Sequence, residues 1–187
     1  MTALSDFIKS KIKVDEPNLE IILSNFTERK IAKDKFVLKQ GQIATDYYYI
    51  KSGGLRLGLA GNDYSRTAWI ALENEFFTDL TSIKNRVPSK YYIQAIEDTV
   101  LYTIKSDAMG RLYQEIPIWQ QFGRLIWEDA FLKVMDGLLS FQNMNAEERY
   151  LTTMEQTELL QRVSLKDIAS FLGITPTSLS RLRKNIK

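Results

Sequence analysis

The sequence predicts an α+β fold: an N-terminal antiparallel β-barrel or jelly roll with flanking helices, a long helix, and a C-terminal helix-turn-helix. Three observations predict it. Apolar residues alternate with period two from about residue 27 to Ile104. They recur every seven residues from Ile118 to Leu139. Two short helical patterns then flank Gly173.

Residues 3–13 and 16–25 read as short helices, with Pro17 in the first turn of the second and Leu19, Ile22, Leu23 and Phe26 at helical spacing. The runs FVLKQG, TDYYYIKSGG, LRLGLAGN, TAWIALEN, YYIQAIED and VLYTIK follow, rich in β-branched and aromatic residues. Gly41, Gly53-Gly54, Gly61-Asn62 and Glu97-Asp98 mark breaks between them. Leu55, Leu57 and Leu59 alternate with Arg56, Gly58 and Ala60, as on a half-buried strand. Many short strands at this spacing predict a barrel or jelly roll.

After Ile104 the pattern is helical. Ile118, Leu125, Leu132 and Leu139 take d positions of a heptad, and Phe122, Asp129 and Asp136 take the a positions. This seam predicts contact between two copies of the helix through Ile118, Phe122, Leu125, Leu132 and Leu139, although two aspartates at a positions weaken it. Phe131, Val134, Met135 and Leu138 form a second stripe, expected to lie against the chain's own barrel. NMNAEER then starts a new helix, with Asn145 as N-cap and Glu148 at N3. The expected division is a barrel domain over 1–115, a dimerisation helix over 116–142 and a helix-turn-helix domain over 143–187.

Composition excludes several chemistries. The 187 residues, 44% hydrophobic, include no cysteine and no histidine. Disulfides, Cys/His zinc sites, Cys-ligated iron–sulfur clusters, His- or Cys-ligated haem and a Ser-His-Asp triad are therefore impossible. No metal or cofactor is expected, and the scattered carboxylates argue against an enzyme. No apolar run is long enough to span a membrane, and MTALSDFIKSKIK lacks the features of a secretion signal, so a cytoplasmic location is expected. The net charge is +2, but residues 162–187 carry six basic residues and one acidic. A basic end on a mildly acidic body suggests a polyanionic partner.

In LKDIASFLGITPTSLSRLRK, Ala169 supplies the small residue and Gly173 the turn that two sharply angled helices need. Ile168, Leu172, Ile174, Leu179 and Leu182 supply the contacts. Thr175 caps the second helix and Pro176 sits at N1, where a missing N–H costs nothing. Leu179, Leu182 and Ile186 share one face; Thr177, Ser180, Arg181 and Lys184 share the opposite one. That outer face offers hydroxyls and cations to base edges and phosphates. Thr177, Ser180 and Arg181 are the expected readers, with Thr175 at the helix start, and Lys184, Lys187 and Lys166 the expected phosphate contacts of double-stranded DNA.

A glycine-punctuated barrel carrying KFVLKQGQIATDYYYIKSGGLRLGL, a long leucine-seamed helix and a terminal helix-turn-helix together resemble the Crp/Fnr family of bacterial transcription regulators. The resemblance covers almost the whole chain. It implies a cyclic-nucleotide-binding-like barrel, a homodimer, a two-fold symmetric DNA site and action on RNA polymerase. In nucleotide-binding members a Gly-Glu pair holds the ribose and an Arg-Ser/Thr-Ala segment the cyclic phosphate. Aligning FFTDL and YYIQA puts Thr78 and Asp79 at the first pair and Ser89, Lys90 and Tyr91 at the second segment. No arginine stands at the phosphate position, and Tyr91 is large where alanine would leave space. The expected pocket is thus degenerate toward cyclic AMP, and the resemblance leaves any effector unidentified. Family members often carry Arg-Glu in the first turn of the reading helix; here those positions are Pro176 and Thr177, which implies a different half-site. The segment before the motif is short for a winged version, so a reduced or absent β-wing is expected. The rival readings are a ligand-sensing adaptor that uses the barrel without binding DNA, and a carboxylate-dependent enzyme.

Overall fold

The computed structural model describes residues 1–60, 65–155 and 161–185. The strands are β1 (Thr27–Ile31), β2 (Phe36–Leu38), β3 (Asp46–Ser52), β4 (Leu55–Leu59), β5 (Arg66–Ala71), β6 (Phe76–Phe77), β7 (Tyr92–Ala95) and β8 (Thr99–Lys105). The helices are α1 (Thr2–Lys11), α2 (Glu16–Ser24), α3 (Leu80–Asn85), α4 (Ser106–Glu115), α5 (Pro117–Asn143), α6 (Ala146–Glu155), α7 (Leu165–Phe171) and α8 (Pro176–Asn185). Gly61-Asn62, Ile186 and Lys187 lie outside the described residues.

The strands form two antiparallel sheets, ordered β1-β8-β3-β6 and β2-β7-β4-β5. The sheets face each other and do not close into a barrel, which corrects that half of the expectation. The chain changes sheet at Gly53-Gly54 instead of extending one ladder. Gly53 has φ +87°, and a Cβ there would lie 2.5 Å from the Thr99 hydroxyl oxygen. A Cβ on Gly54 would lie 2.7 Å from Ile96 Cδ1. Only glycine fits this crossing.

Side-chain alternation assigns the layers. Tyr49 points into a core shared with α1, α2, α4 and α5, where it meets Phe76, Tyr102, Trp119 and Phe122. Its neighbours Tyr48 and Ile50 point between the sheets, toward Leu55, Ile93 and Leu101. On the far side, Ile70 and Ile96 share a third core with Tyr150, Val163, Ile168, Leu172 and Leu179. The order is helices, sheet, sheet, C-terminal helices.

The long helix α5 uses its faces differently from the expectation. Phe122 is fully buried within the chain, stacked 4.4 Å from Trp119. It is a core residue and not part of an exposed seam. Ile118 and Leu125 pack at the edge of the same core. Asp129, placed at a partner-facing position, pairs with Lys11 of α1 at 2.6 Å. Beyond it, Phe131 is 62% exposed and Leu132 59%, and Val134, Leu138, Leu139 and Phe141 are exposed with them. Phe131, Val134 and Leu138 therefore turn away from the sandwich. The inward face is Trp119, Phe122, Gly123 and Ile126, then Gly137 near Trp69.

Candidate nucleic-acid interface

The chain turns into α6 at Asn145, whose side-chain oxygen accepts from the amides of Glu147 (2.9 Å) and Glu148 (3.1 Å). The Glu148 carboxylate accepts from the Asn145 amide at 2.7 Å, completing a capping box. Ser164 caps α7 by accepting from the Asp167 amide. Gly173 follows α7 with φ +74°, a left-handed conformation suited to glycine. The Thr175 hydroxyl then accepts from the Ser178 amide at 3.1 Å and starts α8, with Pro176 as its first residue.

This short connection sets the two helices against each other. Ala169 and Leu179 are fully buried between them, with Leu182 beside them. Thr175, Thr177, Ser180, Arg181 and Lys184 are all exposed, as is Lys166. One side of α8 is thus anchored in the core. The other presents two hydroxyls and two cations with no acid among them. Lys187 lies outside the described residues.

Of the residues aligned with a nucleotide pocket, Asp79, Ser89 and Tyr91 meet and bond to one another. Asp79 and Ser89 are 7% and 3% exposed. One Asp79 oxygen accepts from the Ser82 amide at 3.0 Å, capping α3; the other accepts from the Ser89 hydroxyl at 2.6 Å. The Ser89 oxygen also accepts from the Tyr91 amide at 3.0 Å. Thr78 donates to the Asp46 carbonyl at 2.8 Å. Lys90 is exposed, and so are Lys84 and Arg86. The sequence reading also missed α3, a helix of six residues.

Arg56 is the cation that sequence reasoning misplaced. Leu55 and Leu57 point between the sheets, so alternation sends Arg56 to the opposite face. That face is covered by the C-terminal helices, and Arg56 is only 8% exposed. Gly58 has no side chain where the ring of Tyr92 crosses, and the Tyr92 hydroxyl accepts from Arg56 at 2.7 Å. Gln94 accepts at 2.9 Å and the Thr67 hydroxyl at 3.2 Å. Asp167 of α7 completes the set with an ion pair.

Arg162 makes a second junction, reaching Glu73 at 2.7 Å and Glu97 at 2.5 Å. Burial pushes the Glu73 carboxyl up. Hydrogen bonds from Arg162 and from the amides of Glu73 and Gly53 outweigh it, holding the pKa below the ordinary 4.5. The alternation on LRLGL was the one signal available for Arg56, and it could not name a partner 111 residues away.

The chain is thus a two-sheet antiparallel sandwich followed by a long helix and a compact helix pair. More particularly, residues 28–116 match the cyclic nucleotide-binding domain family. No curated protein matches the sequence. Among solved structures, FixK2 from Bradyrhizobium japonicum is similar at TM-score 0.72 and 19% identity, covering 86% of this chain and 84% of that one. The c-di-GMP-responsive global regulator CLP of Xanthomonas campestris is similar at 0.70 and 16% identity, covering 92% and 91%. A Crp/Fnr-family structure from Eubacterium rectale is similar at 0.69 and 16%, covering 92% and 83%. At these identities the likeness establishes a shared fold. No helix among the described residues is long and apolar enough to cross a membrane.

Proposed function

We propose that the chain is a DNA-binding transcription regulator of the Crp/Fnr type. It is a homodimer that reads a two-fold symmetric site with one copy of α8 in each half. The observation that carries this reading is the polarity of α8. Leu179 is fully buried, while Thr177, Ser180, Arg181 and Lys184 stand exposed on the other side. An exposed helix of hydroxyls and cations suits the major groove. The dimer surface is the apolar outer face of the second half of α5, from Phe131 to Phe141. The aligned site in its sandwich is degenerate toward cyclic nucleotides, because Asp79 and Ser89 bind each other and Lys84, Arg86 and Lys90 of the same segment are exposed. RNA polymerase is the partner that the resemblance implies.

The test is selection of duplexes from a random pool by the purified protein. A recovered palindrome is the expected result. Failure to retain any duplex at low salt would favour the adaptor reading instead.

A further inference from the structure

We infer that Arg56 and Arg162 are positioning residues for DNA reading: they pin α7 to the sandwich, and α7 in turn fixes the direction in which α8 points. The inference rests on the proposed reading of DNA by α8.

The strands themselves give the Arg56 guanidinium three neutral acceptors. Thr67, Tyr92 and Gln94 come from β5, β7 and β7, and each accepts one of its N–H groups. None of these carries a carboxylate. Leaving a buried arginine with only neutral partners is costly. Asp167 supplies the missing charge, and it comes from the first turn of α7. The Ser164 hydroxyl, donating at 2.6 Å, holds the Asp167 carboxylate from the helix side.

Two further points prevent α7 from pivoting about that pair. Arg162, just before α7, forks onto Glu73 with contacts of 2.8 and 2.7 Å and also reaches Glu97. Arginine's rigid planar fork fixes direction as well as distance. One turn past Asp167, the Ser170 hydroxyl accepts from the Thr67 backbone amide at 2.8 Å. Three attachments spread over residues 162–170 fix both the position and the rotation of a helix seven residues long. The Gly173 turn and the buried Leu179 pass that orientation to α8.

None of the attachment residues lies among the exposed residues of α8. Their contribution is therefore not contact with DNA. A dimer binding two half-sites gains from holding both reading helices in the correct relative placement. A single half-site makes no such demand. The structure thus separates two effects that loss of a base contact would not separate.

The test uses full-length Asp167→Asn and Arg162→Gln variants, singly and combined, with Asp167→Glu as the conservative control. Fluorescence anisotropy measures binding to a duplex with both half-sites and to one with a single half-site. The combined variant is expected to lose about tenfold or more on the double site and less than about twofold on the single site. Asp167→Glu is expected to recover most of the loss. Because the chain has no cysteine, spin labels at Lys30→Cys and Asn185→Cys report the distance from β1 to the end of α8, with labelled protomers diluted by unlabelled ones. That distance is expected to be narrow in the parent and broad in the combined variant. An unchanged distance distribution overturns the inference, as does equal loss on both duplexes. If the parent binds no duplex, the DNA reading fails, and the spin-label distances still decide whether the arginines pin α7.

Discussion

Arg181 and Lys184 lie three residues apart on the exposed side of α8, yet the proposed reading of DNA gives them different tasks. Arginine's fork pairs with a guanine edge in the major groove, whereas a lysine beside the backbone acts as a point charge. Arg181→Ala is expected to cost about 1–3 kcal/mol per half-site and to relax specificity at one base pair. Lys184→Ala is expected to weaken binding to every sequence and reduce the salt slope by about one. Titrations of several duplexes at a series of salt concentrations measure both. Equal loss on all duplexes for Arg181→Ala would reverse the assignment. At this scale the exposed side of α8 was legible, because Leu179 and Leu182 already fixed the buried one. Phe122 was not. It satisfies the seven-residue seam, but it also lies one turn from Trp119 and Ile126, with which it is buried. Periods of 3.5 and 3.6 cannot be told apart over so few turns.

Helix α5 shows how far periodicity carries at the scale of an element. Its existence and approximate span were legible from the leucine repeat. Which residues faced inward was not, because apolar residues occur all round the helix. The buried set is Trp119, Phe122, Gly123 and Ile126, and the far halves of both predicted stripes are exposed. In the proposed homodimer, the exposed row from Phe131 to Phe141 is the surface offered to the second copy. Leu132→Lys would bring two charges into that surface. Burying an unpaired charge costs several kcal/mol, enough to split a modest dimer. Light scattering at micromolar concentration is expected to show one chain in place of two, with an unchanged circular dichroism spectrum, since Leu132 contributes to no protomer core. A variant that stays dimeric would place the interface elsewhere. The elements that sequence reading missed are short or unpatterned. Strand β1, TERKI, buries only Ile31 and is recognisable by its pairing with β8. Strand β6 has two residues.

For the whole molecule, the order of sandwich, long helix and helix pair was legible from the changes of period. The packing of the helix pair on the second sheet was not, since its contacts join residues about a hundred positions apart in sequence. The proposed loss of cyclic-nucleotide binding belongs to this scale too. Arg56 is committed to the face of its sheet that the C-terminal helices cover. Isothermal titration with cyclic AMP and cyclic GMP is expected to show no saturable binding, since losing a charged partner of a buried phosphate costs about 2–5 kcal/mol. A dissociation constant of about ten micromolar or tighter would overturn that expectation. The third core has a thermodynamic consequence. Ile168, Leu172 and Leu179 share it with Ile70 of β5 and Ile96, just past β7. The C-terminal helices are therefore expected to melt together with the sandwich. Heating is expected to produce a single calorimetric endotherm, and a fragment spanning residues 143–187, deprived of its apolar floor, would populate a frayed ensemble rather than an autonomous foldon.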